Sequence, residues 1–243
     1  MASLIVSLDQ VATLRTTGRT SEPDPAQAAV LAEMAGAEGI MVRMRRDRRF
    51  IRDRDLYLLR EVVKTRFVVE TPPADENIAR ILEVKPAMVI FVADHADNDA
   101  PTSGINFDKA VIQFDDIATR LRGSNINSCF MIEPEIEAVR GAVRSGADAV
   151  MINCQAFTSA RTAVEAQEEL DRIDRAAQAA GKSKISLMAG RGISYQNLRP
   201  LVELGLVEEF IVGHAVISRA VLAGLDTAVR DMVRLLNPPP LTE

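Results

Sequence analysis

The stretch Ile185–Val221, ISLMAGRGISYQNLRPLVELGLVEEFIVGHAVISRAV, decides the architecture. It reads as two successive units of one kind. An apolar run, Ile185–Ala189, ends in the turn Gly190-Arg191-Gly192, and a helical pattern over Tyr195–Leu204 follows. A second run, Glu209–Val212, ends in Gly213 and His214, with a helix starting near His214 and a helical pattern over Ser218–Leu236. Both runs are almost continuously apolar, as in strands buried on both faces of a parallel sheet.

The same alternation extends back to the N-terminus. Strands are predicted over Leu4–Leu8, Gly39–Val42, Phe67–Glu70, Met88–Val92, Asn127–Ile132 and Ala149–Ile152. Between them, helices are predicted over Pro25–Ala35, Asp53–Val63, Asp75–Val84, Asp115–Arg122, Glu135–Ser145 and Ala163–Ala180. Asp24 suits an N-cap and Pro25 the first helical position. The turns AGAEGI (Ala35–Ile40) and SGADAV (Ser145–Val150) carry glycine where a left-handed C-cap needs it. Eight strand–helix units without a strand-rich insert predict an α/β fold, a closed (β/α)8 TIM barrel spanning residues 1–243 as one domain. An open doubly wound sheet is the alternative, weakened because no G-x-G-x-x-G follows the first strand.

Bulk properties agree. The 243 residues are 47% hydrophobic, enough for one sizeable core. The net charge of -5 argues against nucleic acid as a partner, because phosphate contacts need a basic face. No secretory leader and no apolar run of about 18 residues is visible, so neither export nor a membrane partner is expected, and the expected location is cytoplasmic. Cys129 and Cys154 lie in apolar runs and read as small buried residues, not as a disulfide framework. No Cys/His spacing suits a metal, and neither metal nor cofactor is expected.

In a barrel of this kind the chemistry sits where strands end. Those positions hold Asp9 and Gln10, Arg43 and Arg45, Glu70, Asp94 and His95, Glu133, Asn153 and Cys154, then Arg191 and Gly192, and Gly213 and His214. The glycine turns after the seventh and eighth strands, with a helix starting near His214, predict a phosphate site, since backbone N–H groups at a helix N-terminus bind anions. Alternation along an extended segment sends Arg43 and Arg45 inward, where arginine holds phosphate or carboxylate bidentately. Glu70 reads as a general base, kept ionised by nearby arginine. His95 reads as a surface residue, and the polar loop Ala96–Ser103 as a candidate lid.

Five segments together, SLDQVATLR (Ser7–Arg15), EPDPAQAA (Glu22–Ala29), RRDRRFIRDRD (Arg45–Asp55), MAGRGISYQN (Met188–Asn197) and VGHAVISRAV (Val212–Val221), resemble pyridoxine 5′-phosphate synthase. The resemblance runs nearly end to end. It implies a barrel with extra helices, a homo-oligomer (octamer or smaller), and condensation of 1-deoxyxylulose 5-phosphate with an aminoacetone phosphate. By resemblance Asp9, Arg45, Gly192, Gly213 and His214 bind substrate and Glu70 is catalytic. The departures fall in the chemistry. Ser7 stands where the family has asparagine and Gln10 where it has histidine. Arg43 and Arg191 replace two catalytic histidines, Phe50 a substrate-binding histidine, Met151 a glutamate and Ala100 a threonine. The family's phosphate-binding arginine falls at Gly18, where neighbouring Arg19 is the candidate substitute.

Ring closure needs proton transfers in both directions near neutral pH, which histidine supplies and arginine does not. Each lost acid–base group costs about 10²–10⁴-fold. The sequence reading is therefore a divergent enzyme binding a phosphorylated small molecule, with catalytic Glu70, Arg43 and Arg191, and with Ser7, Asp9, Gln10, Arg19, Arg45, Gly192, Gly213 and His214 binding substrate. The alternatives are the ordinary synthase and a noncatalytic phosphate-ligand or assembly protein.

Overall fold

The computed structural model describes residues 2–93, 103–108 and 112–237. Its strands β1 (Ser3–Ser7), β2 (Gly39–Arg43), β3 (Phe67–Thr71), β4 (Met88–Phe91), β5 (Asn127–Ile132), β6 (Ala149–Asn153), β7 (Ser186–Gly190) and β8 (Glu209–Val212) close in sequence order into one barrel. All pairings are parallel, and β1 meets β8 from Ser3↔Glu209 to Val6↔Val212. The expected (β/α)8 barrel is the observed fold. The expectations for Asp94, His95, Ala100 and most of the loop Ala96–Ser103 lie outside the described residues.

The helices are α1 (Asp9–Gly18), α2 (Pro25–Met34), α3 (Asp53–Val62), α4 (Asp75–Val84), α5 (Phe114–Arg122), α6 (Ile136–Arg144), α7 (Gln155–Thr158), α8 (Ala163–Ser183), α9 (Leu198–Glu203), α10 (His214–Ala223) and α11 (Leu225–Leu236). Asp24 caps α2 by accepting the Ala26 N–H, with Pro25 in the first turn. The predicted helix after β8 is in fact two, broken at Gly224, whose φ of 83° no continuous helix accommodates.

Two layers of apolar contact hold the barrel. The outer layer lies between strands and helices, and the inner one fills the barrel. Met41, Met88, Met131, Met151 and Met188 all contribute to the inner layer. Unbranched thioether side chains fill an irregular interior well and give it little rigidity. The outward faces of the strands carry mostly branched and aromatic residues, such as Val42, Val69 and Phe130.

α1 forms without a strong apolar stripe, and its sequence DQVATLRTTG carries β-branched residues that weaken a helix. Tertiary contacts hold it instead. Arg15 reaches Asp55 at 2.7 and 2.6 Å in a buried, two-pronged ion pair and also donates to the Phe50 carbonyl. Asp55 in turn accepts the Arg52 N–H at the start of α3. One carboxylate thus ties α1, the arginine-rich loop and α3 together, and so fixes Asp9 at the head of α1.

Candidate active site

β2 and β3 run in register so that Arg43 lies beside Glu70 at the C-terminal rim of the barrel. Glu70 is wholly buried. From the opposite side of the ring, four strands away, Arg191 follows β7 and crosses the mouth. Its Nη2 donates to Glu70 Oε2 at 2.6 Å. Arg43 Nε lies 3.4 Å from Glu70 Oε1, an ion pair without a hydrogen bond. The Arg191 Nε contacts Met131 Sδ at 3.3 Å, which steers the guanidinium along this path. Glu70 therefore sits between two cations, in a bar that spans the mouth.

The bar requires an unusual backbone. Arg191 has φ 80° and Gly192 φ 67°. A left-handed conformation costs a residue with a Cβ about 1–2 kcal/mol, and the ion pair with Glu70 offsets it. At Gly192 a side chain is excluded on space as well, because a Cβ would lie 2.0 Å from Thr158 Oγ1 on α7.

Beside the bar, between the ends of β1, β7 and β8, lies a cavity of about 210 Å³. Its wall includes Ser7, Asp9, Gln10, Arg191, Gly192, Ser194, Gly213 and His214. Gly213 permits β8 to approach β1, since a Cβ there would come 2.9 Å from Ser7 Cβ. α10 begins at His214, and the first N–H groups of a helix have no partner inside it. Those of His214 and Ala215 belong to residues of the cavity wall. A wider apolar groove between α2 and α3, lined by Val30, Met34 and Val62, lies on the flank of the barrel, away from the strand ends.

Asp9 links the two parts of the mouth. Its Oδ1 accepts the Arg43 backbone N–H at 2.7 Å, and its Oδ2 accepts the Ser7 hydroxyl at 3.2 Å. Burial raises the Asp9 pKa above the ordinary carboxylate value; the Arg43 N–H opposes the rise and the Glu70 charge adds to it. Burial also lowers the Arg43 pKa, with Glu70 working against that change.

Of the residues predicted for the site, the structure gathers Ser7, Asp9, Gln10, Arg191, Gly192, Gly213 and His214 around one cavity, with Arg43 and Glu70 adjoining it. Two do not join them. Arg19 is exposed at the C-cap of α1 in a left-handed conformation and does not line the cavity. The Arg45 guanidinium lies 5.5 Å from the centre of the Phe50 ring, which Arg49 also approaches at 4.9 Å. Arg45 does not line the cavity, although its charge acts on Arg43. Glu133 and Asn153 pair with each other at 2.9 Å elsewhere on the rim. Cys154 is buried and its thiol is pushed up to about 12, so it is inert packing. Met131 and Thr158, which shape the site by steering Arg191 and bracing Gly192, were not anticipated. Neither lies where a strand end signals chemistry.

Fold and mouth together define a TIM barrel whose polar and charged side chains converge at the C-terminal ends of β1, β2, β3, β7 and β8. A family model described as "Pyridoxal phosphate biosynthesis protein PdxJ" matches residues 4–238. Proteins called pyridoxine 5′-phosphate synthase are similar over almost the whole length. Those of Geotalea daltonii and Geobacter sulfurreducens are 40% and 41% identical over 237 residues, which is 98% of this chain and 99% of theirs. That of a Synechococcus species is 40% identical over 232 residues, 96% of this chain and 97% of its own. The chain belongs to the PdxJ family. Among solved structures, the Amycolatopsis orientalis BexX/CysO complex contains a chain that matches with a TM-score of 0.61 at 16% identity, covering 100% of this chain and 94% of that one. A 4-hydroxy-2-oxoglutarate aldolase matches with a TM-score of 0.61 at 15% identity, covering 96% and 94%. These two likenesses concern the fold alone. Among the described residues, no helix is long and apolar enough to cross a membrane.

Proposed function

We propose that this chain is a biosynthetic enzyme of the pyridoxine 5′-phosphate synthase type, acting on phosphorylated small molecules. The observation that carries the phosphate reading is the cavity wall where Gly192, Gly213 and the N-terminus of α10 meet. Glycine brings the backbone close to a bound anion there, and the helix end adds partial positive charge. The end-to-end relationship to curated synthases favours the synthase reaction itself over the divergent chemistry that the substituted histidines alone suggest.

A second reading, altered condensation, lyase or isomerase chemistry at the same site, is favoured by one specific observation. Glu70 is held between Arg43 and Arg191. Its charge is matched by two guanidiniums, and neither arginine shuttles protons near neutral pH. Such a bar is better suited to stabilising an oxyanion or enolate that develops beside Arg191.

Complementation separates the two. Expressed in a cell that lacks its own synthase, the chain is expected to restore growth without vitamin B6. No growth despite soluble protein that binds a phosphate ester would refute the synthase reading and leave the second in its place.

A further inference from the structure

This inference deepens the proposed function and rests on its anion-binding cavity. We propose that Asp9 is the proton carrier of that cavity, taking up a proton as an anionic substrate enters and returning it to a substrate oxygen during turnover.

The geometry selects Asp9 by what surrounds it. Glu70, the other carboxylate of the mouth, is held by Arg191 and Arg43 and does not line the cavity. Gln10 and Arg191, which do line it, do not exchange protons near neutral pH. Among the described residues of the wall, Asp9 and His214 are the two that carry a carboxyl or an imidazole group. Asp9 is also built to hold either state. Its Oδ1 is fixed by the Arg43 N–H, while among the described residues Oδ2 meets only the Ser7 hydroxyl, which donates to a carboxylate and accepts from a carboxylic acid without moving.

The charges around Asp9 come from four elements. Arg43 on β2, Glu70 on β3, Arg191 after β7 and His214 at the start of α10 all face the mouth. The N-terminus of α1 itself favours the carboxylate, whereas burial and Glu70 favour the acid. With both carboxylates ionised, Asp9 and Glu70 balance Arg43 and Arg191. A phosphate dianion entering this balanced site makes it negative, and protonation of Asp9 removes part of the excess. The proton comes from solvent and binds Oδ2. In turnover the Oδ2–H bond breaks as a new O–H bond forms on the substrate oxygen, and the carboxylate returns to its Arg43 and Ser7 partners.

Sulfate is the probe, because it stays a dianion where phosphate itself titrates. Calorimetric titration to saturation in two mildly acidic buffers of different ionisation enthalpy gives the protons taken up per sulfate bound. Uptake of a substantial fraction of a proton is expected in the wild type and in His214→Gln, and its loss in Asp9→Asn, which keeps the shape of the side chain. Binding without uptake, or uptake lost in His214→Gln and kept in Asp9→Asn, would overturn the proposal. The wild type and His214→Gln decide it alone if Asp9→Asn does not fold. No sulfate binding at all would instead refute the anion site, and the proposal with it.

Discussion

Glu70→Gln tests the charged bar most simply. The substitution keeps the shape of the side chain and an acceptor for Arg191, but it removes the carboxylate with which both guanidiniums pair. Breaking a buried pair by removing one partner costs about 3–5 kcal/mol. Arg43 and Arg191 are 15% and 21% exposed at their side chains, so solvent reaches part of each and the lower end applies. The expected loss is therefore about 3 kcal/mol. At about 2–4 °C per kcal/mol for a domain of this size, Tm falls by about 6–12 °C. Urea unfolding should show the midpoint lowered with the slope unchanged. Adding Arg191→Met to Glu70→Gln should recover much of the loss, because one stranded charge is then gone. Sulfate should raise the Tm of Glu70→Gln more than that of the wild type, since the freed guanidiniums recruit it. A Glu70→Gln protein within about 0.5 kcal/mol of the wild type would show that the bar is not a coupled electrostatic unit.

Gly192→Ala places a Cβ on Thr158 in a left-handed backbone, so a loss of about 2–4 kcal/mol is expected by urea unfolding. Thr158→Gly in the same chain should return the part due to overlap and leave the part due to conformation; full recovery would refute the backbone argument. For Asp55, burial opposes ionisation, but hydrogen bonds from Arg15 and the Arg52 N–H outweigh it and hold its pKa below the ordinary carboxylate value. A depressed folded-state pKa contributes stability that is present above the ordinary value and lost as pH falls through the folded one. Asp55→Asn should therefore cost about 3 kcal/mol at neutral pH and flatten the acid limb of a Tm–pH profile. An unchanged acid limb would remove Asp55 from the account.

The barrel was legible in the sequence because its strands are continuous apolar runs. β5 and β8 were bounded to the residue, and Gly192 and Gly213 marked their turns as places where backbones come close. α1 was not legible. Its apolar pattern is weak, and what holds it is Arg15 reaching a residue 40 positions away. The break at Gly224 did have a signal, a glycine inside a helical pattern. The meeting of Arg191 with Glu70 joins residues 121 apart and exists only because the sheet closes. Even so, eight strands in sequence order put β3 opposite β7, so two long or charged side chains at those strand ends were placed to meet. Arg45 lies past the end of β2, and the contact of its guanidinium with the Phe50 ring could not be read from strand alternation.

The central claim is that an anion sits where the turns after β7 and β8 meet the start of α10. Anomalous diffraction from a selenate-soaked crystal tests it directly. The account predicts a selenium peak within hydrogen-bonding reach of the Gly192, Gly213 and His214 backbone N–H groups. A cavity without that peak at saturating selenate, or selenate bound only on arginines away from the cavity such as the exposed Arg19, would contradict it.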